Sequence, residues 1–275
     1  MRLARYTTQH GGGVGVAVGD SVHPTPFATL QDVIAAGVEG LERVRAATQT
    51  DPVEPTRLLA PLQPRQVICC GINYASHLDE NPGATIPSNP FLFAKLPSSV
   101  IGPGEPIVIP EPESEVDYEV ELTVVIGRTM RKVRPEDALK YVFGYTLVND
   151  VSGRDIQFVD HQITLGKSID TFCPVGPTVT TADAVDHGSI ELSTVVNGEV
   201  RQRGSTAEHF FDVPKLLSFV SAFITLQPGD LVTTGTPAGV GAFRDPPAYL
   251  RPGDIVTVAA EGIGELTNPV VAGWV

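Results

Sequence analysis

Cysteine is scarce in this chain: three among 275 residues, two adjacent (Cys69, Cys70) and one distant (Cys173). With no CxxC pair and no His–Cys cluster, a zinc finger and a disulfide framework are both excluded, and an odd thiol count fits a reducing compartment. Positive charge is also short, 19 Lys and Arg against 32 Asp and Glu, for a net charge of −13. Nucleic acid and anionic membrane surfaces are bound through clustered Lys and Arg, so neither is an expected partner. No apolar run nears the roughly 20 residues that span a bilayer. The basic start "MRLARYTTQHGGG" has no apolar segment behind it, so a signal peptide is not expected either. The expectation is a soluble cytoplasmic protein. An anionic substrate would need a local positive site to overcome the global field.

What is abundant is turn-forming residue. Twenty-seven Gly and 24 Pro are spread along a chain that is 42% apolar, which implies a real core cut into many short strands. Residues 1–62 read as a small N-terminal domain. In it "GVGVAVGDSVHPT" alternates as a hairpin with Gly19-Asp20 at its turn, and "TLQDVIAAGVEGLERVRAAT" reads as one or two helices. The Pro-rich "DPVEPTRLLAPLQP" has the composition of a surface linker. "HGGGVGVAVG" lacks the GxGxxG register and is followed by strand, so it is not a dinucleotide loop. Residues 63–275 form the larger unit, dominated by strands such as "RQVICCGI", "VFGYTLVND" and "DIVTVAAEG". Helical signals are few. Pro135 and acidic neighbours open one, and Asp212 caps another with apolar positions 216, 217, 220 and 223 on one stripe. The frame LxPGD[LI]VT occurs twice, at 226–233 and 250–257, each a type II turn feeding a strand. The fold class expected is mixed α+β and β-rich, a roll or sandwich.

The stretch "SEVDYEVELTVVIG" (114–127) reads as one strand with a fault. Tyr118, Val120, Leu122, Val124 and Ile126 make an apolar face, while Asp117, Glu119 and Glu121 line the other. Side chains two apart on one face lie roughly 6.5–7 Å from each other, and buried like charges at that range are costly. A solvated strand face is the ordinary explanation. Two features argue for a metal: the run continues into the core-like "LTVVIG", and "GYTLVND" brings Asp150 to the end of a second apolar strand. All-oxygen ligation suits Mg²⁺ or Mn²⁺, with Ca²⁺ as a third option, over zinc.

Three further constellations stand out. In "GINYASHLDE" the i, i+3 spacing of His77 and Glu80 puts both on one helical face, where the carboxylate can fix the imidazole tautomer and make the other nitrogen a better base. In "NDVSGRDIQ" and "LGKSIDTF", Arg154, Gln157 and Lys167 follow Asp150 closely and supply the positive site an anion requires. "TTGTPAGVG" (233–241) has the glycines and hydroxyls of an anion-binding nest but lacks the GK[ST] ending of a P-loop. On spacing alone the first two read more readily as ordinary surface residues, and the third reads equally well as a plain turn.

Taken together, the collinear pieces "GINYASH", "PFLFAKLPSSVIGPG", "VDYEVELTVVIG", "GYTLVNDVSGRDIQ", "GKSIDTFCPVGP", "NGEVRQ", "PGDLVTTGTPAGVG" and "GIGELTNPV" resemble the fumarylacetoacetate hydrolase family, over roughly Val67 to Val271. The resemblance implies a mixed β-roll, an Mg²⁺ or Mn²⁺ held by Glu119, Glu121 and Asp150, and a water-activating pair in His77 and Glu80. It also implies Arg154, Gln157 and Lys167 in the active site, Thr236 as the carboxylate-binding residue, and a homodimer. Asp117 is left as a solvent-facing or backing acid. Departures occur at "VSGRD", where many relatives have a Thr-Ala pair, at "HQIT", which lacks a common aromatic, and at "AEHFF", where Met-Phe is usual. These border the pocket and bear on substrate, not on the metal site.

The expected function is divalent-metal-dependent hydrolysis of a C–C bond in a small 2,4-dioxo acid of the acylpyruvate or fumarylpyruvate type. The alternative is decarboxylation or tautomerisation of related 2-oxo acids, such as oxaloacetate or 2-hydroxyhepta-2,4-diene-1,7-dioate. Segment 78–90 is a candidate lid. A non-haem iron oxygenase would want two His and one carboxylate, and a Ca²⁺-binding β-sandwich module leaves the His77, Glu80 and Lys167 set without a purpose.

Overall fold

The β-branched runs form the strands they predict. The computed structural model of the chain describes residues 1–81, 83, 85–111 and 114–273. It contains an eleven-stranded sheet, a five-stranded sheet and a two-stranded ribbon. Through the middle of the large sheet run Cys173–Thr181, Val142–Asn149, Val120–Ile126 and Leu231–Thr233, all antiparallel. Leu231–Thr233 then pairs in parallel with Val67–Cys70, which pairs antiparallel with Leu92–Lys95.

Both faces of the large sheet are covered, which is why its strands carry apolar residues on both sides. On one face Val120, Leu122, Val124 and Ile126 pack with Leu192, Val258 and Leu266 of the five-stranded sheet and with Leu216, Leu217 and Val220 of the helix Val213–Phe223. On the other, Val125, Val148 and Val175 meet Leu30, Val33, Ile34 and Val44 from the helices Leu30–Ala35 and Gly37–Ala47. The expected hairpin pairs Gly11–Val18 with Ser21–Pro24 around Gly19-Asp20. The first strand, Arg2–Thr8, joins the large sheet through Leu3↔Val179. Within the Pro-rich stretch, Arg57–Leu59 pairs with Arg2–Thr8 and Leu62 is buried.

Local chemistry explains most element ends. Asp212 accepts the Lys215 N–H and opens the helix Val213–Phe223. Phe223, expected on its buried stripe, is 77% exposed, because the helix stops there and its last residue overhangs the core. The two LxPGD frames form matching turns. The N–H groups of Asp230 and Asp254 bond the carbonyls of Gln227 and Arg251, with Gly229 at φ +86° and Gly253 at φ +96° as type II geometry demands. Each Asp side chain also accepts the N–H of the turn's first residue.

The acidic stretch departs from one continuous strand. Val116–Asp117 pairs with Ser152–Gly153 in the ribbon, and the chain rejoins the large sheet only at Val120–Ile126. Between them Asp117 accepts the Tyr118 N–H and Asn149 Oδ1 accepts the Glu119 N–H, side-chain acceptors taking the place of a ladder. The candidate lid at 78–90 includes Pro82 and Ala84, which lie outside the described residues.

Candidate active site

Register brings the acids together. Val120 faces Asn149 and Glu121 faces Val148, so Glu119 and Asp150, each one step beyond the paired run, sit side by side, and the Asp150 N–H bonds the Glu119 carbonyl at 2.8 Å. One carboxylate oxygen from each of Glu119, Glu121 and Asp150 lies within 4.8 Å of the others. All three are buried, so a solvated strand face is ruled out.

Cations meet them unevenly. Lys167 Nζ lies 2.7 Å from Glu119 and 2.8 Å from Asp150, and Lys95 Nζ lies 2.6 Å from the second Asp150 oxygen. Arg154 Nη2 reaches Glu119 at 2.6 Å and Asp117 at 2.9 Å. Burial alone would raise the Glu119 carboxyl, but Lys167, Arg154 and His77 outweigh it and hold it at about 2. Glu121 accepts the Gly235 N–H at 3.1 Å and, among the described residues, pairs with no cation. Burial, then the charges of Asp150 and Glu119, push its carboxyl well above the usual range. Four buried acids (117, 119, 121, 150) face three buried cations (95, 154, 167), and Glu121 is the acid left without a counter-charge, so without a cation it holds its proton. A buried carboxylate without a counter-charge is costly, and an all-oxygen triad beside it is a donor set that fits a hard divalent cation.

Asp117 is fully buried and accepts from Arg154 Nε and Nη2 and from the N–H groups of Gly241 and Ala242. Of the two expectations for this residue, the solvent-facing one fails; it backs Arg154.

The dyad stands on the short helix Ala75–Asp79. His77 Nδ1 is 2.7 Å from Glu80 Oε1, and Glu80 Oε2 accepts the Gly239 N–H at 2.7 Å. A carboxylate at Nδ1 selects the tautomer with its proton there and leaves Nε2 with a free lone pair. His77 lines a cavity of about 180 Å³ together with Glu119, Glu121, Arg154, Gln157, Lys167 and Thr236, while Phe91, Phe93, Phe158, Ile163 and Phe243 give it an apolar side. That volume is below the roughly 300 Å³ at which drug-sized pockets begin, so it suits a small acid. Seven of the nine expected site residues line this one cavity. Glu80 lies behind His77 and Asp150 behind the other two acids.

A single segment holds these parts in place. Main-chain N–H groups of Gly235, Gly239, Gly241 and Ala242 bond Glu121, Glu80 and Asp117 in turn, so the nest expected at 233–241 grips the protein's own carboxylates. Sequence reasoning assigned no role to Lys95, Asn73 or Gln202. Lys95 ends an apolar strand at 1% exposure, and a Lys in that setting is itself a signal of a buried acid. Asn73 bonds the carbonyls of Thr234 and Phe211 and accepts the Phe211 N–H, pinning the dyad helix to two loops.

Comparisons with known proteins follow the same outline. A family model for the fumarylacetoacetate (FAA) hydrolase C-terminal domain matches residues 66–271. The mitochondrial oxaloacetate tautomerase FAHD2A of Bos taurus is 40% identical over 289 residues, covering 98% of this chain and 92% of that protein. A fumarylacetoacetate hydrolase from Exiguobacterium antarcticum superposes with TM-score 0.87 at 41% identity, over 99% of both chains. A maleylpyruvate hydrolase from Sphingobium sp. SYK-6, in complex with manganese(II) and pyruvate, gives TM-score 0.81 at 34% identity over 100% of both.

Proposed function

Because the chain belongs to the fumarylacetoacetate hydrolase family, and is an enzyme of it, we propose that it catalyses divalent-metal-dependent tautomerisation of a small 2-oxo acid of the oxaloacetate type. The observation that carries this reading is the His77–Glu80 dyad, one oriented base opening on a small cavity beside three buried ligand acids. The Bos taurus relative, matched over nearly the whole chain, is named for this reaction.

Glu119, Glu121 and Asp150 would hold Mg²⁺ or Mn²⁺. When bound, the cation supplies Lewis-acid polarisation of the 2-oxo carbonyl. The chain's own residues do the rest. His77 Nε2 takes the proton from the carbon next to that carbonyl, and Glu80, already bonded to Nδ1, stabilises the imidazolium. Delivering the proton to the oxygen gives the enol, and the same steps in reverse give the ketone, so no water is consumed. Arg154 has five N–H groups; among the described residues four are engaged, with Asp117 (two), Glu119 and Gln157, which leaves one on Nη1 for an anion. Gln157 gives its oxygen to Arg154, which leaves its amide N–H groups for the substrate. The apolar wall excludes bulk water from the carbanion-like intermediate.

The second reading is hydrolysis of a 2,4-dioxo acid. The same Nε2 would deprotonate a water in place of a C–H, and the maleylpyruvate hydrolase superposition supports it. The experiment is direct. Purified protein with Mg²⁺ is mixed with enol oxaloacetate and, separately, with fumarylpyruvate and acylpyruvates. Faster loss of the ultraviolet enol band, abolished in His77→Ala, supports tautomerisation. Pyruvate release from the dioxo acids without enol turnover replaces it with hydrolysis, and loss of oxaloacetate as CO₂ with decarboxylation.

The three cysteines are unpaired and buried, which supports a reducing compartment such as the cytoplasm. Among the described residues no helix is long and apolar enough to cross a membrane. The homodimer is part of the same proposal, resting on the family resemblance and checked by light scattering.

A further inference from the structure

We propose that Gln202 is a positioning residue that turns the hydroxyl proton of Thr236 into the pocket as a fixed donor for the substrate carboxylate. This rests on the reading that the pocket takes a 2-oxo acid. Gln202 lies on the strand Glu199–Ser205 of the five-stranded sheet, 1% exposed, and all four hydrogen-bonding positions of its amide are used. Oε1 accepts the Val120 N–H at 3.0 Å and the Thr194 hydroxyl at 2.7 Å. Nε2 donates to the Pro237 carbonyl and to Thr236 Oγ1, both at 2.8 Å.

Two of these partners fix which end of the amide is which. A backbone N–H only donates and a backbone carbonyl only accepts, so the oxygen must face Val120 and the nitrogen must face Pro237. An amide nitrogen only donates. Thr236 Oγ1 is therefore the acceptor in its pair with Gln202, and its own proton cannot point along that line. Among the described residues the Thr236 hydroxyl donates to no protein group, while Thr236 lines the cavity. The proton is left facing the space where an anion binds.

A free hydroxyl serves donors and acceptors alike. One that already accepts from an amide and keeps its proton free favours an acceptor, and it bonds a charged carboxylate oxygen more strongly than the neutral carbonyl oxygen of a carboxamide. The same amide holds the main chain of Val120, between the ligand acids Glu119 and Glu121. The donor is thereby set in register with the metal site.

The test is calorimetric binding of pyruvate and of its neutral isostere pyruvamide to the Mg²⁺-loaded protein. In Gln202→Glu the acceptor-only side chain takes the Thr236 proton and reverses the hydroxyl. Pyruvate should bind roughly tenfold to a hundredfold more weakly, the range of a lost hydrogen bond to a charged group. Pyruvamide, whose N–H can now donate to Thr236, should change little, so the preference for the acid narrows. Gln202→Met and Thr236→Val should each weaken pyruvate, and the double variant should bind it no more weakly than Thr236→Val alone. An unchanged pyruvate-to-pyruvamide ratio in Gln202→Glu, or additive losses in the double variant, overturns the inference. If Gln202→Glu does not fold, the Met and Val cycle decides. Wild-type protein that binds no pyruvate overturns the functional reading and, with it, this inference.

Discussion

Replacing Gly239 by alanine tests whether main-chain geometry, and not only side chains, carries the chemistry. Gly239 sits at φ +106°, and a Cβ added there would lie 2.1 Å from the Arg201 carbonyl oxygen and 3.2 Å from Gln202 Cα. Both neighbours are backbone, so no side chain can swing aside and the loop must shift. The strained conformation costs about 1–3 kcal/mol. The N–H bond to Glu80 Oε2, lost with the shift, adds about 1.5–3 kcal/mol as a charged-group hydrogen bond. A loss of about 2.5–6 kcal/mol leaves a domain in the middle of the ordinary stability range folded but lowers Tm by roughly 5–24 °C. Glu80 then no longer holds the His77 tautomer, and kcat should fall by about 10²–10⁴, the span of general-base catalysis. Mg²⁺ affinity should change little, because the triad is set by the pairing of Val120–Ile126 with Val142–Asn149 and not by the Gly239 bond. The control is Gly229→Ala: Gly229 has φ +86°, but its nearest atom belongs to the flexible Gln31 side chain at 3.6 Å. It should lose stability and keep kcat. Scanning calorimetry, metal titration and initial rates on both variants settle the matter. A folded Gly239→Ala enzyme with wild-type kcat, or an equal kcat loss in Gly229→Ala, refutes the reasoning.

Glu121→Gln should stabilise the metal-free protein by about 1–3 kcal/mol, since the amide oxygen still accepts from Gly235 and folding no longer has to protonate a carboxylate that is ionised in the unfolded chain. Its Mg²⁺ affinity should drop at least tenfold; denaturant melts showing a less stable apo variant would contradict the charge census. In the wild type, Mg²⁺ at about 100 times its Kd should add about 2.7 kcal/mol, or roughly 5–11 °C in Tm, and EDTA should reverse both this and turnover. No shift with metal would remove the triad as its site. Burial depresses His209 from its ordinary 6.5 to about 4, with Asp212 and Glu208 opposing in part. The unfolded chain therefore takes up a proton that the folded one refuses. Stability from this group is complete above pH 6.5 and falls as pH drops toward 4, by at most roughly 3 kcal/mol. His209→Phe should flatten that part of the stability profile, and two superimposable profiles would rule His209 out as the cause.

The parts of the site that announce themselves in sequence do so through conflict. Glu119 and Glu121 belong to a run that reads as a strand too apolar to be solvated, and Asp150 follows another apolar run, so the burial of these acids could be anticipated and with it a cation. His77 and Glu80 were legible because helical spacing puts them together without any tertiary knowledge. The matching turns at Asp230 and Asp254 follow from Pro-Gly alone. What escaped depends on long-range contact. Lys95 reaches Asp150 across 55 positions, and Gln202 reaches Val120 across 82. Nothing local marks either partner. The break at Tyr118 and Glu119 was hidden because alternation continues through it in sequence while the ladder does not. The grip of the 235–242 amides was invisible for a simpler reason: every residue has an N–H, and only the path of the chain says where it points.

That grip has a mechanical consequence. The His77–Glu80 pair, Glu121 and Asp117, the partner of Arg154, are all tethered to one eight-residue stretch of backbone. When thermal motion displaces the stretch, the tethered groups move in the same direction, and their separations vary less than independent loops would allow. Accuracy in such a centre comes from correlated error and does not require rigidity.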